Sequence, residues 1–178
     1  MITRIYSTYE DEELLPEVDE QGNVVGSISR KHCHDGSKTL HPVVHLHLVD
    51  TEGRIFLQLR PSWKKIQPNR WDTAVGGHIS FGESTEDALR RETEEETGLV
   101  KLKATKIGQY VFESEVEKEL VYVFLYRGSV QAPKLSEEVA DGRYWTHEEI
   151  TQAMGQGILT PNFEQEYLKI VIPALKMR

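Results

Sequence analysis

Apolar positions recur with a period of two in several short runs of this chain and with a helical period in three others. Residues 11–30 predict a hairpin, because LLPEVD and VVGSISR are strand-like and Glu20-Gln21-Gly22-Asn23 between them is turn chemistry. In HPVVHLHLV, Val44, Leu46 and Leu48 alternate with His45 and His47, which predicts a strand with its histidines on the opposite face, as surface or sub-loop groups. Asp50-Thr51-Glu52-Gly53 then turns into RIFLQLR, a second hairpin. A Pro-bounded basic loop, PSWKKIQPNR, leads to WDTAVGGHI, a short strand in which Gly76 and Gly77 let a ligand approach the backbone. Strands follow near 103–112 and 119–127, then a polar loop over 129–142 and a short strand at RYW. Thr146 with Glu149 reads as a capping box for a helix over about 146–154. The last periodic stretch, about 161–176, is an amphipathic helix with Phe163, Tyr167 and Ile170 on one side.

Helices interleaved with hairpin-connected strands predict an α/β fold with a mixed sheet. The 178 residues suit a single domain, 1–178, and show neither repeat nor linker. With 21 basic and 29 acidic residues the net charge is −8, which disfavours binding to a nucleic acid backbone. Cys33 is the only cysteine, so no disulfide forms within the chain, and a reducing compartment is the simplest expectation. MITRIYSTYEDEELL has no apolar core for a signal peptide and no run reaches transmembrane length. The chain thus reads as soluble and cytoplasmic, without a membrane partner.

The chemistry concentrates in Gly77–Leu99, GHISFGESTEDALRRETEEETGL. Ser84 or Thr85 can cap a helix whose first turn holds Glu86 and Asp87, and Gly98 is placed to end it. Glu92, Glu95 and Glu96 sit at i, i+3 and i+4 and so share one face. Like charges at that spacing repel by about 0.2–0.5 kcal/mol per pair. A hard divalent cation such as Mg²⁺, held by one or two carboxylates and substrate phosphates, offsets that repulsion.

In its fixed positions this stretch resembles the Nudix box of the Nudix hydrolases. Gly77, Glu83, Arg91, Glu92, Glu95, Glu96, Gly98 and Leu99 all fall in register, with Thr93 at an apolar position the one departure. A buried hydroxyl at Thr93 needs a hydrogen-bond partner. The resemblance implies a Nudix-type α/β/α sandwich and a metal-dependent hydrolase that cleaves a diphosphate linked to another moiety. It implies Mg²⁺ (or Mn²⁺) held by Glu92, Glu95, Glu96 and the Gly77 carbonyl, a water activated by Glu95, Glu137 or Glu138, and structural support from a Glu83–Arg91 pair.

Outside the box the chain is similar to isopentenyl-diphosphate isomerases, a divergent class on the same fold. His34 and His41 are seven apart, His78 follows Gly77, and Glu117-Lys118-Glu119 precedes LVYVF. In that resemblance His34, His41, His78, Glu117 and Glu119 form a second divalent metal site, a donor set suited to Mn²⁺, Zn²⁺ or Mg²⁺. Arg60 and Lys64 align with the residues that hold the diphosphate. Two positions depart from the isomerases: Gly76 stands where they carry a catalytic cysteine, and Glu92 where they carry arginine. Moving protons on a carbon skeleton needs a placed acid and base, and glycine supplies neither. The reading is therefore an isomerase-like scaffold with a hydrolase site. The alternatives are an isomerase and a non-catalytic diphosphate-binding module. Trp71, Trp63 and Tyr110 are candidates to stack on a substrate base, although such aromatics more commonly anchor core or loop. The substrate's leaving half is not encoded in any motif, and a homodimer, common among relatives, stays open.

Overall fold

The computed structural model describes residues 12–128 and 138–177; Glu137, most of the 129–142 loop and the first residue of the 11–30 hairpin lie outside them. The fold is α/β with a mixed sheet, as expected. Strands β1 (Leu14–Val18) and β2 (Val24–Ser29) form a two-stranded sheet, followed by a one-turn helix α1 (Arg30–Cys33). The larger sheet contains β3 (Leu40–Val49), β4 (Ile55–Leu59), β5 (Trp71–Thr73), β6 (Val75–His78), β7 (Thr105–Glu113), β8 (Lys118–Arg127) and β9 (Asp141–Trp145). Its order is β5-β4-β3-β8-β7, with β6 paired to β3 and β9 to β4. Helices α2 (Thr85–Thr97), α3 (His147–Ala153) and α4 (Pro161–Glu166) follow the strands, the last continuing through a π-helical turn (Tyr167–Val171) into α5 (Ile172–Lys176). Among the described residues no helix is long and apolar enough to cross a membrane.

The chain divides into two compact units: residues 1–44, 77–88 and 109–122, and residues 45–76, 89–108 and 123–178. In the first, the hairpin turns at Gly22, whose φ of +86° is the left-handed conformation glycine adopts without strain. Ser29 caps α1 by accepting the His32 N–H. Gly36 N–H donates to the Val116 carbonyl and Ile79 N–H to that of Pro42, at 3.1 and 3.2 Å, which ties the histidine-bearing segments to one another.

In the second unit, β4 pairs in antiparallel register with both β5 and β9. Its apolar side chains join a core that includes Ile55, Leu57, Trp145, Ile150, Phe163, Tyr167 and Val171. Thr146 and Glu149 form the expected capping box at the start of α3. Trp71 stacks edge-on against Trp145, so it anchors the core. The C-terminal helix differs from expectation in one detail. The π-helical turn adds a residue to the repeat, so Val171 rather than Ile170 joins Phe163 and Tyr167 as fully buried. The strand expected over 71–79 is likewise broken at Ala74 into β5 and β6.

Phe163 ties the C-terminal helix to this core. Phe163→Ala is expected to lower stability by about 3–5 kcal/mol, through lost burial and the cavity left behind, measured by urea unfolding.

Candidate functional site

Two clusters of titratable side chains stand out, one in each unit. In the second unit, α2 carries the acids of the 77–99 stretch. The helix starts where Ser84 accepts the Asp87 N–H and stops at Gly98, whose φ is +72° and whose N–H closes onto Glu94. Helical spacing puts Glu92, Glu95 and Glu96 on one side, but burial separates them. Glu95 is exposed, Glu92 is half-buried, and both are bound by the Arg91 guanidinium at 3.4 and 2.8 Å. Glu96 is half-buried and accepts hydrogen bonds from the Gly76 N–H at 3.1 Å and Gln58 Nε2 at 3.4 Å. Gln58 is itself fixed by the carbonyls of Thr73 and Ala74. Loss of water around the Glu96 carboxyl, reinforced by the neighbouring Glu92 charge, pushes its pKa up to about 8. Such a group takes a proton or a cation in place of the water it lost.

Thr93, at the position where the family pattern is apolar, is buried and donates to the Leu89 carbonyl at 2.6 Å, so its hydroxyl is satisfied within the helix. Glu83 accepts the Ser80 N–H at 3.1 Å, and Gly77 lies half-buried in β6. Arg60 bonds the Ile66 carbonyl at 3.0 Å and faces Asp72 at 3.6 Å. Lys64 pairs with Glu138 at 2.6 Å and lies over the exposed Trp63 ring. Both basic side chains therefore hold acidic or carbonyl partners in this structure.

The first unit brings together all five residues of the His/Glu pattern, although they come from α1's end, β3, β6 and the start of β8. The rings of His34, His41 and His78 lie 5.3–5.9 Å apart, centroid to centroid. His34 Nδ1 is 2.7 Å from Glu117 Oε2. One ligand atom each from His41, His78 and Glu119 lies within 4.8 Å of the others. His41 is completely buried. Its Nδ1 bonds the Thr39 carbonyl at 3.0 Å, which makes that nitrogen the donor and leaves the lone pair on Nε2. His41 Nε2 makes no hydrogen bond and faces Glu119 Oε1 at 3.8 Å, too long for one. Burial, with His34 nearby, lowers the His41 pKa despite the Thr39 bond, so the ring stays neutral, as a metal ligand must. An orphaned basic nitrogen, a carboxylate opposite it and the Thr39 carbonyl fixing the ring from behind fit a small divalent cation. Cys33 is buried and free, and burial among the carboxylates of Glu119, Asp35 and Glu117 pushes its thiol up to about 12.

The expectation that His45 and His47 are surface or sub-loop groups is incorrect. His47 is fully buried, the His45 side chain is 12% exposed, and both bind Glu166. His45 Nδ1 lies 2.7 Å from Oε2 and His47 Nε2 2.6 Å from Oε1. Both faces of β3 are covered here, so alternation did not separate core from water. Glu166 was missed altogether. Its signal is a charged residue set between Phe163 and Tyr167 on the apolar side of the last helix. Asp72, which accepts the Thr160 hydroxyl at 2.9 Å, was missed for want of any motif.

A NUDIX domain model matches residues 39–163. An uncharacterised Nudix hydrolase of Yersinia pestis is 29% identical over 163 residues, 86% of this chain and 89% of the relative. An isopentenyl-diphosphate Delta-isomerase of Mycolicibacterium vanbaalenii is 29% identical over 154 residues, 82% of this chain and 85% of the relative. Among solved structures, a protein of Deinococcus radiodurans superposes with a TM-score of 0.71 at 26% identity, covering 83% of this chain and 92% of that one.

The raised pKa of Glu96 sets a pH dependence of known sign. The folded chain holds a proton on Glu96 up to about pH 8, whereas the unfolded chain releases it near the ordinary value of 4.5. Without metal, its contribution to stability is full below that ordinary value and lost as pH rises to about 8. Urea unfolding in EDTA should therefore show a loss of stability between about pH 4.5 and 8 that Glu96→Gln removes. Equal pH slopes for the two proteins would contradict the assignment.

Proposed function

Since the chain belongs to the NUDIX domain family, we propose that it is a metal-dependent hydrolase that cleaves a diphosphate joined to another moiety in a small-molecule substrate. The observation that carries this reading is the Glu92–Glu96 pair. Glu96 is desolvated beside a second carboxylate, anchored by a backbone N–H, and raised to about 8 by that burial and the Glu92 charge. Glu92 and Glu96 are the residues to hold Mg²⁺ or Mn²⁺. When bound, the ion supplies neutralisation of diphosphate charge and a binding place for the attacking water.

The remaining roles fall to the chain's own groups. Gly76 N–H and Gln58 fix the Glu96 carboxylate, and Arg91 fixes Glu92. Glu95 is exposed, one bond from Arg91, and suits the part of general base toward a water on the outer side of α2. Glu138 is the other acid within the described residues for that part, and its ion pair with Lys64 ties it to the basic loop. Substrate phosphates exchange for the acidic partners of Arg60 and Lys64, since a guanidinium and an ammonium bind phosphate as readily as carboxylate. The donor set of His34, His41, His78, Glu117 and Glu119 would hold a second divalent ion.

That second cluster is the specific observation favouring an isomerase as the alternative. Against it stand Gly76, which offers no acid or base, and Cys33, whose buried thiol stays protonated.

Phosphate and pyrophosphate release should be measured with Mg²⁺ or Mn²⁺ on nucleoside diphosphate sugars, dinucleotides, nucleoside triphosphates and isoprenoid diphosphates. Turnover is expected on at least one class, without allylic isomer formation. Glu92→Gln and Glu96→Gln should each lower it by roughly 100-fold or more while circular dichroism stays unchanged. Full activity in Glu96→Gln would refute the assignment.

A further inference from the structure

Asp72 lies outside every motif of the sequence and has no part in the mechanism above. It stands opposite Gln58 in the antiparallel β4–β5 pair, so the two side chains share a face of the sheet, the face on which Gln58 reaches Glu96. Arg60 follows Gln58 by two residues and continues the pairing, its N–H donating to the Arg70 carbonyl at 2.9 Å, so it points the same way. One sheet face thus brings Glu96, Gln58, Asp72 and Arg60 together. The Asp72 charge is felt at Glu96, where burial first and Glu92 next raise the pKa and Asp72 adds to them.

The two oxygens of Asp72 differ. Oδ1 accepts the Thr160 hydroxyl at 2.9 Å and the Thr73 N–H at 2.8 Å. Thr160 is buried and itself fixed, since its N–H donates to the Trp71 carbonyl and its hydroxyl oxygen accepts the Phe163 N–H. The carboxylate is therefore held in place. Oδ2 faces Arg60 Nη1 at 3.6 Å, longer than the roughly 2.7–2.9 Å of a charge-assisted hydrogen bond. Arg60 is held separately, its Nε donating to the Ile66 carbonyl at 3.0 Å. Acid and guanidinium thus stand side by side, attracted by charge without a good hydrogen bond between them.

An acid fixed beside a phosphate-binding arginine opposes every anion that comes to it. A diphosphate offsets this with its second phosphate, which a lone phosphate lacks. We propose that Asp72 is a specificity-determining residue of the hydrolase site, a fixed rival for Arg60 that yields to a diphosphate and disfavours free phosphate. The inference rests on the hydrolase reading, in which Arg60 takes a substrate phosphate, and adds a reason for the site to shed the single phosphates that cleavage leaves.

Inorganic phosphate is titrated into the full chain in EDTA at constant ionic strength, with binding read by ³¹P NMR. Asp72→Asn, which keeps an oxygen for Thr160 and Thr73, is expected to tighten phosphate roughly fivefold, the upper end for an ion pair that water still reaches. In an Arg60→Gln background the same substitution should change phosphate affinity by less than about twofold, because the cation it guards is gone. Tighter binding cannot come from damage to the fold. Unchanged or weaker phosphate binding in Asp72→Asn, or equal tightening with and without Arg60, overturns the proposal. The unaltered chain gives a second measurement, in Mg²⁺. Its Arg60 side-chain ¹⁵N signals should shift with saturating imidodiphosphate, a diphosphate that resists hydrolysis, and stay in place with inorganic phosphate at the same concentration. A shift with both, or with neither, overturns the proposal. The hydrolase reading is decided separately, by turnover in the release screen.

Discussion

A carboxylate taken out of water beside a second carboxylate cannot stay an anion without a positive charge, and Glu96 is held in that position. The Gly76 N–H and Gln58 fix it in place, while Glu92 adds repulsion at one helical turn's distance. Buried beside Glu92, the Glu96 carboxyl is costly to ionise, and it keeps its proton up to about pH 8. That requirement gives meaning to the rest of the second unit. Gly76 near the start of β6, the β4 glutamine and the capped helix together aim one charged group.

The first unit solves a related problem with different ligands. His41 is completely buried and kept neutral, its tautomer set by a backbone carbonyl, with Nε2 facing Glu119 across a gap too wide for hydrogen bonding. Neutral imidazole is a ligand for a cation and an inert filler otherwise. The histidine cluster therefore pairs a neutral imidazole, its Nε2 without a hydrogen bond, with a carboxylate opposite, a donor set that fits a divalent cation. With a net charge of −8, the chain would need local positive charge to bind any phosphate group.

Glycine at position 76 links the chemistry of the second unit. Its amide holds Glu96, and a methyl group on it would stand 3.4 Å from the His45 ring. At this position the chain offers only a backbone donor, the N–H that Glu96 accepts.

Much of this was legible without coordinates. The α/β class, the hairpins, the Thr146 capping box and the limits of α2 follow from periodicity and from cap and turn residues, because those preferences act over a few neighbours. The acids of α2 were legible for the same reason, since a helix turns i, i+3 and i+4 to one side whatever surrounds it. How those acids differ in burial was not local: Glu96 is desolvated by β4 and the Gly76 segment, Glu95 by nothing. His45, His47 and Glu166 were hidden for the same cause. Their partnership joins residues 119 and 121 positions apart, and alternation along a strand says which residues share a face but not whether that face meets water or a helix. Sequence set the chemistry available on each element, and tertiary packing alone determined which carboxylates lost their water and which histidines they found.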